Sequence, residues 1–171
     1  MARMITPGVP DDPAVLAGIA KVAIHHGHLD YALRLMVKSL AGVTLKVALD
    51  ATERQTTGPL MDQVRALARR RLGECSELVK VRALLTRAKK LTNRRNQLMH
   101  GLWAIKDVGG PPTFQPAGGR LGRIPRAKDL ELLADDMFTL SNEMHWERRH
   151  GFLAEALDAK KKLADTTGAS D

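Results

Sequence analysis

The chain has 171 residues, of which 44% are hydrophobic and 4% aromatic, and its formal net charge is +8. These values predict one globular domain, residues 1–171, whose core is filled by Ala, Leu and Val in packed helices rather than by a β-sandwich. The single cysteine, Cys75, excludes an intrachain disulfide and a cysteine-based metal site, and the chain contains no run of 18 apolar residues that would predict a membrane span.

The first predicted helix follows an irregular segment, residues 1–11. Asp12 and Pro13 are typical of an N-cap followed by proline, so this helix would run from Pro13 to about His26 and end at Gly27. Three histidines near its end lack zinc-like spacing and are expected as caps or surface residues: His25, His26 and His28. The residues predicted to face the core are Leu16, Ile19, Ala20 and Ala23.

A second, longer helix is predicted from about His28 to Asp50. Its apolar residues recur at alternating spacings of four and three, a pattern typical of a central bundle helix: Leu29, Leu33, Met36, Leu40, Val43 and Val47. A polar loop, residues 51–58, would follow this helix. A third helix is predicted from Pro59 to about Leu72, with three residues facing the core: Leu60, Val64 and Leu67.

The fourth predicted helix starts near Cys75 and Ser76, after Gly73, and continues to about Gly101. No histidine lies near Cys75 in the sequence, so we interpret it as a structural thiol rather than a nucleophile. The predicted core residues in the first half of this helix are Leu78, Val81, Leu85 and Ala88.

The segment from Lys106 to Arg126 contains five glycines and four prolines, which predict a loop insertion. Its flanks, residues 102–108 and 120–124, would pair as a short β-hairpin. A last helix begins near Ala127, stops or kinks at Gly151, and gives way to an irregular tail, residues 166–171. The predicted fold is therefore all-α, a single helical bundle of about five helices with a Gly/Pro-rich insertion before the last. In the last helix, the apolar residues that recur at spacings of three and four are Leu130, Leu133, Met137, Leu140 and Met144.

The end of the fourth helix carries the residues with the clearest chemistry. Arg95 interrupts an apolar stripe, and a buried charge needs a partner or a function. His100 follows five residues later, near the helix end, and histidine exchanges protons near neutral pH. Asn96 lies one turn before His100 and would orient its imidazole. The apolar residues of the stripe are Leu84, Ala88, Leu91, Leu98 and Leu102.

The segment Arg95-Asn96-Gln97-Leu98-Met99-His100 resembles the Arg-polar-x3-His motif of HEPN domains (higher eukaryotes and prokaryotes nucleotide-binding), and the following Gly101 also fits. In that family the motif lies on a late helix of an α-helical bundle, and many members are metal-independent endoribonucleases whose site forms where two protomers pair. The resemblance implies catalytic roles for Arg95, Asn96 and His100.

Basic residues are concentrated before the motif. Residues 65–95 contain eleven Lys and Arg and two acids, so this segment carries +9 and the rest of the chain is nearly neutral. This charge favours RNA binding, although a solvated helix face would have the same composition. A second basic cluster consists of His145, Arg148, Arg149 and His150. We expect it at the surface; the alternative is that it lines the same groove as Arg95. The predicted nucleic-acid-binding residues are Arg87, Lys89, Lys90 and Arg94.

Three functional hypotheses follow from these features. The first is a metal-independent, homodimeric endoribonuclease without a cofactor, acting as a toxin or defence component with an antitoxin or another protein partner. The second is a non-catalytic HEPN-like module that dimerises and binds a nucleotide, nucleic acid or protein. The third is a purely structural helical protein. Since the start of the chain lacks an apolar signal core, we expect a cytoplasmic protein with no membrane contact.

Overall fold

The computed structural model describes residues 5–106 and 111–167, and these form six α-helices and four short β-strands. The predicted all-α class with a short antiparallel insertion is confirmed. Parts of three predicted segments, residues 1–4, 107–110 and 168–171, lie outside the described residues. The helices are α1 Pro13–Ala41, α2 Leu45–Thr52, α3 Thr57–Leu72, α4 Ser76–Met99, α5 Ala127–Arg149 and α6 Phe152–Thr167. The strands are β1 Ile5–Pro7, β2 Leu102–Lys106, β3 Pro112–Gln115 and β4 Gly122–Arg123.

The described residues form two compact units. The first unit contains the chain up to Gly27 together with Lys90–Met137, and therefore all four strands and the motif. The second unit contains His28–Lys89 and the chain from Phe138 onward, and therefore α2, α3 and α6. Among the helices described, none is both long enough and apolar enough to cross a membrane.

Helix α1 is continuous across Gly27, where the sequence predicts a break. A glycine inside a helix costs only about 1 kcal/mol relative to alanine, and burial of the apolar side chains around it outweighs that cost. The helix ends instead at Gly42, whose φ of 70° is the left-handed conformation typical of helix termination. Its buried face is one stripe with spacings of three and four: Val15, Gly18, Val22, His26, Leu29, Leu33, Met36 and Leu40.

The buried face of α1 in the first unit also differs from the prediction. Leu16 and Ala20 are exposed, because the stripe begins at Val15 and the predicted face is wrong by one residue, about 100° of helix rotation. Leu16 instead lines an apolar groove of about 540 Å³ with Trp103 and residues 7–10. His26 is buried inside the helix, so the predicted cap or surface position is wrong for this residue.

An antiparallel sheet in the first unit contains β1 and β3, which the sequence predicts as irregular and looped, together with β2 and β4, which lie in the two segments predicted to pair as a hairpin. The strand order is β1-β2-β3-β4, with Thr6 opposite Ile105 and Trp103 opposite Phe114. The hairpin partner of β2 is therefore β3, not residues 120–124, which supply β4 on the far side of β3. Such short strands lack a local periodic signal, because each is stabilised by pairing with a distant segment.

In the second unit, the link between α2 and α3 is fixed by Arg34 of α1. Its guanidinium donates hydrogen bonds to the carbonyl oxygens of Thr52 and Gln55, the latter over 3.1 Å. The hydroxyl of Thr57 donates to the Asp30 carboxylate over 2.7 Å at the start of α3. The polar loop predicted for residues 51–58 is consequently shorter, since α2 extends to Thr52 and α3 begins at Thr57.

Candidate active site

His100 lies in the tight turn between α4 and β2. The helix ends at Met99 and the strand begins at Leu102, yet the His100 backbone N–H still donates to the Asn96 carbonyl oxygen over 3.0 Å. The side chain of His100 is exposed. The prediction that His100 lies at the C-terminal end of a helix is confirmed, and its imidazole is accessible to a ligand.

Gly101 allows strand β3 to pack directly against this turn. A Cβ atom at position 101 would lie 2.5 Å from Cζ of Phe114 and 2.7 Å from the Gln115 carbonyl oxygen, closer than side chains are normally found. The Ala117 N–H donates to the Gln97 carbonyl oxygen over 3.2 Å and so satisfies one carbonyl group at the end of α4. The sheet therefore fixes the turn that carries His100.

Arg95 lies on the buried stripe of α4, as its spacing predicts. Its stripe neighbours Leu91 and Leu98 are 8% and 5% exposed, and Arg95 itself is half-buried. Its Nη1 donates to Oδ1 of Asn96 over 3.1 Å, whereas its buried Nε has no hydrogen-bond partner in the part of the chain that the structure describes. Within residues 5–106 and 111–167 no carboxylate forms an ion pair with Arg95. The guanidinium therefore retains donors and charge that an anion can use.

Asn96 contacts Arg95 rather than the His100 side chain. Its amide oxygen accepts from Arg95, and in the described part of the chain its hydrogen bond with His100 runs through the backbone. The sequence predicts that Asn96 orients the imidazole of His100, whereas in the structure the Asn96 side chain orients the guanidinium of Arg95. Asn96 is half-buried, so the contact is partly shielded from water.

The four predicted nucleic-acid-binding residues differ in their partners. Arg94, in the first unit, lies 3.6 Å from the Asp136 carboxylate, and Arg87, in the second, lies 2.7 Å from that of Glu143. Both pairs are solvent-accessible, so each contributes about 0–1 kcal/mol and can exchange for a phosphate. Lys89 and Lys90 are exposed, and no ion pair of either occurs among the described residues. The two lysines are therefore the more available cations.

No group of three or more His, Cys, Asp or Glu side chains within the described ranges is placed to hold a metal ion. Cys75 is half-buried and lines an apolar groove of about 410 Å³ in the second unit, with Leu72 and Phe152. The structural role expected for Cys75 from the sequence stays a prediction.

The sequence did not reveal two features: the residues that support the turn carrying His100, and a pocket in the second unit. Phe114 and Gln115, on β3, define the space beside Gly101, and only the pairing of β3 with β2 reveals their position. The pocket combines residues of α1, including His28 and Tyr31, with His145 of α5. The basic composition around His145 is visible in the sequence, but its approach to α1 is a property of the fold.

Comparison with protein-family models finds no match for this chain, and comparisons with curated proteins and with solved structures find none either. The resemblance to HEPN domains therefore rests on the segment from Arg95 to Gly101 and on the helical character of the chain.

Proposed function

We propose that the protein is a metal-independent endoribonuclease of the HEPN type, acting as a cytoplasmic homodimer. The observation that carries this proposal is the state of Arg95, a half-buried guanidinium with a buried, unpartnered Nε and no carboxylate partner among the described residues. A half-buried cation without a counterion is stabilised when an anion binds beside it. The phosphodiester of RNA is such an anion, and the exposed His100 follows one turn later.

In the proposed reaction, His100 removes the proton from an RNA 2′-hydroxyl, and the resulting oxygen attacks the adjacent phosphorus. The bond to the 5′-oxygen breaks, a 2′,3′-cyclic phosphate remains, and an imidazolium returns a proton to the leaving 5′-oxygen. Arg95 stabilises the negative charge that develops on the phosphoryl oxygens. Asn96 acts as a positioning residue by holding Nη1 of Arg95. Because RNA supplies its own nucleophile, the proposed chemistry needs no metal-bound water.

Dimerisation at the site is supported by apolar side chains beside His100. Met99 and Leu102 are 37% and 40% exposed, although both are large and hydrophobic. Burial of such residues against a second protomer would remove apolar surface from water and place two His100 imidazoles near one another. In that arrangement one imidazole acts as the base and the other as the acid.

A cleavage assay tests this proposal. A labelled RNA mixture is incubated in EDTA with the wild type, His100→Ala and Arg95→Ala. We expect the wild type to cleave, and each variant to be slower by about a hundredfold or more, since acid–base and charge-stabilising groups contribute at least that much. Arg70→Ala is the matched control, because it removes the same charge at an exposed position of α3 and should cleave at nearly the wild-type rate. Cleavage by His100→Ala at the wild-type rate would exclude the mechanism.

The alternative function is a non-catalytic module that dimerises and binds a nucleotide, nucleic acid or protein. One observation favours it: the described residues include no side-chain hydrogen bond from Asn96 to His100 that would orient the imidazole. In this case Arg95 would bind a phosphate or anchor the dimer. The module would bind RNA with an affinity that falls steeply with salt, but would not cut it.

A toxin or defence role adds a cellular test of the same site. Production of the wild-type chain would stop bacterial growth through RNA cleavage, whereas His100→Ala would be tolerated at equal abundance. An antitoxin partner would restore growth by covering the turn that carries His100. Growth arrest by both forms would contradict a toxin that acts through this histidine.

A further inference from the structure

A second cluster of cations lies in the second unit, near the C-terminal end of α5. The His145 ring lies between two guanidinium groups, with Nδ1 3.5 Å from Nη2 of Arg148 and Nε2 3.4 Å from Nη1 of Arg149. His145 and Arg149 are exposed and Arg148 is half-buried, so the cluster is at the surface, as the sequence predicts.

The hydrogen-bonding groups of this cluster cannot satisfy one another. A neutral imidazole has one N–H donor and one acceptor nitrogen, whereas a guanidinium has donors only. Whichever tautomer His145 adopts, one of its two contacts therefore places a donor opposite a donor. If the ring is protonated, both contacts place an N–H donor opposite a guanidinium donor. An acceptor with several oxygens beside the three side chains would remove this conflict.

Arg148 shows the same shortage of acceptors. Among the described residues, its buried Nε has no hydrogen-bond partner, and its Nη1 donates to the Ser39 hydroxyl over 3.4 Å. The neighbouring acid on α5 serves another purpose, because Glu147 accepts from the Phe152 N–H over 2.9 Å at the start of α6. Among residues 5–106 and 111–167, no carboxylate forms an ion pair with Arg148 or Arg149.

His145 lines a pocket of about 240 Å³ between α1 and α5 within the second unit, and Arg148 and Arg149 reach the edge of this pocket through their contacts with the His145 ring. The volume equals that of roughly eight water molecules in the liquid, enough for a phosphate group with a few further atoms. Partial desolvation of the imidazole lowers the pKa of His145 most, and the charges of Arg148 and Arg149 lower it further. The polar residues lining the pocket are His28, Tyr31, Ser141, Asn142 and His145.

We propose that this pocket binds the phosphate dianion of a small phosphomonoester. Its oxygens accept hydrogen bonds from the two guanidinium groups and from the His145 N–H, which supplies the missing acceptors and the counter-charge. The attached organic group occupies the pocket beside Tyr31 and Asn142. The proposal does not depend on the ribonuclease assignment, since it uses none of the residues of that site.

Calorimetric titration of the full chain at constant ionic strength tests this site with three probes: inorganic phosphate, glycerol 3-phosphate and dimethyl phosphate. We expect the first two to bind and the diester monoanion to bind at least about tenfold more weakly, because it carries less charge. Arg148→Gln and Arg149→Gln should each weaken phosphate binding by about tenfold or more, as expected for a charged hydrogen-bond partner. Arg70→Gln, at an exposed position of α3, is the control with the same change in net charge.

Thermal unfolding gives an independent readout, since a ligand that binds only the folded state raises the Tm of the protein. Phosphate should raise the Tm of the wild type, Arg70→Gln and His100→Ala, but not that of Arg149→Gln. If Arg148→Gln fails to fold, the exposed Arg149 and a His145→Gln variant provide the test. Absence of phosphate binding to the wild type, equal binding by Arg149→Gln, or equal binding of dimethyl phosphate would overturn the proposal. Binding by His100→Ala keeps this result separate from the ribonuclease test.

Discussion

The Arg95 guanidinium and the Asn96 amide, neighbours in the sequence, are joined through their side chains by a 3.1 Å hydrogen bond. Consecutive helical residues point about 100° apart, so the contact requires the arginine to lie across the helix surface rather than extend into solvent. This conformation holds the charge beside the buried stripe that contains Leu91 and Leu98. The motif therefore presents an arginine whose orientation is set by the adjacent polar residue.

Replacement of Asn96 by alanine should slow RNA cleavage indirectly, because Arg95 loses the hydrogen bond that orients its guanidinium. Loss of one such hydrogen bond costs about 0.5–1.5 kcal/mol, which corresponds to a decrease in kcat/KM of up to about tenfold. The pH profile of cleavage should keep its shape, because no side-chain hydrogen bond joins Asn96 to the imidazole among the described residues. Asn93→Ala, one turn earlier and exposed, should cleave at nearly the wild-type rate. A shifted pH profile in Asn96→Ala would instead mean that Asn96 acts on His100.

The true end of α1 can be tested with a pair of glycine substitutions. Gly27→Ala should stabilise the protein by about 0.5–1 kcal/mol, since the site is helical and a Cβ there meets no atom within 4 Å. Gly42→Ala should destabilise it by about 1–2 kcal/mol, because φ of 70° is unfavourable for alanine. Urea unfolding of both variants provides the measurement. Destabilisation by Gly27→Ala would support the break that the sequence predicts.

The helical part of the fold could be predicted from the sequence because its signal is local. Spacings of three and four identified the buried residues of α5, from Leu130 to Met144, and those of α4, from Leu78 to Ala88. The helix stop predicted at Gly27 was wrong, because the buried stripe with these spacings continues through His26 and Leu29.

The site was predictable only in part. The spacing of Arg95 and His100 and the apolar neighbours of Arg95 are properties of one helix, so the sequence revealed them. The support of the turn by Phe114 and the approach of α1 to His145 depend on pairing between distant segments, which periodicity does not encode. The hydrogen-bond partner of the Asn96 side chain depends on side-chain rotamers, so the sequence did not reveal it either.

Gly101→Ala should destabilise the first unit, because a methyl group at this position would collide with the Phe114 ring and the Gln115 carbonyl. Overpacking of this kind costs about 1–3 kcal/mol. We also expect slower RNA cleavage, since β3 must move away from the turn that carries His100. Tm and cleavage rate should therefore fall together, whereas Gly58→Ala, at a site with no atom within 4 Å of the added Cβ, should lower neither. An unchanged Tm in Gly101→Ala would contradict the packing described.

The salt dependence of RNA binding should distinguish Lys89 and Lys90, which form no ion pair with a described residue, from Arg87, which pairs with Glu143. Each phosphate contact to single-stranded RNA contributes about 0.7 to the slope of log affinity against log salt concentration. Lys89→Gln and Lys90→Gln should each reduce the slope by about that amount. Arg87→Gln should reduce it less, because its guanidinium must first leave Glu143. Filter binding over a range of salt measures the slopes, and equal effects of all three changes would show that the ion pair has no influence.

His145 should make the stability of the protein depend on pH. Burial and the neighbouring cations lower its pKa below the ordinary value of 6.5 in the folded chain, so below about that pH the unfolded chain binds a proton that the folded chain does not. Stability therefore falls as pH decreases from this value toward the folded pKa, and is unaffected above it. The groups that face His145 are Arg148 and Arg149 on α5, His150 in the turn that follows α5, and His28 and Tyr31 on α1.

The measurement compares urea unfolding of the wild type and His145→Gln at about pH 7.5 and about pH 5. Loss of stability on acidification should be smaller in His145→Gln, because glutamine cannot take up the proton in the unfolded state. Inorganic phosphate should reduce the loss in the wild type, since a bound anion favours the imidazolium and raises its pKa. An identical pH dependence of the two proteins would show that His145 titrates alike in the folded and unfolded chains.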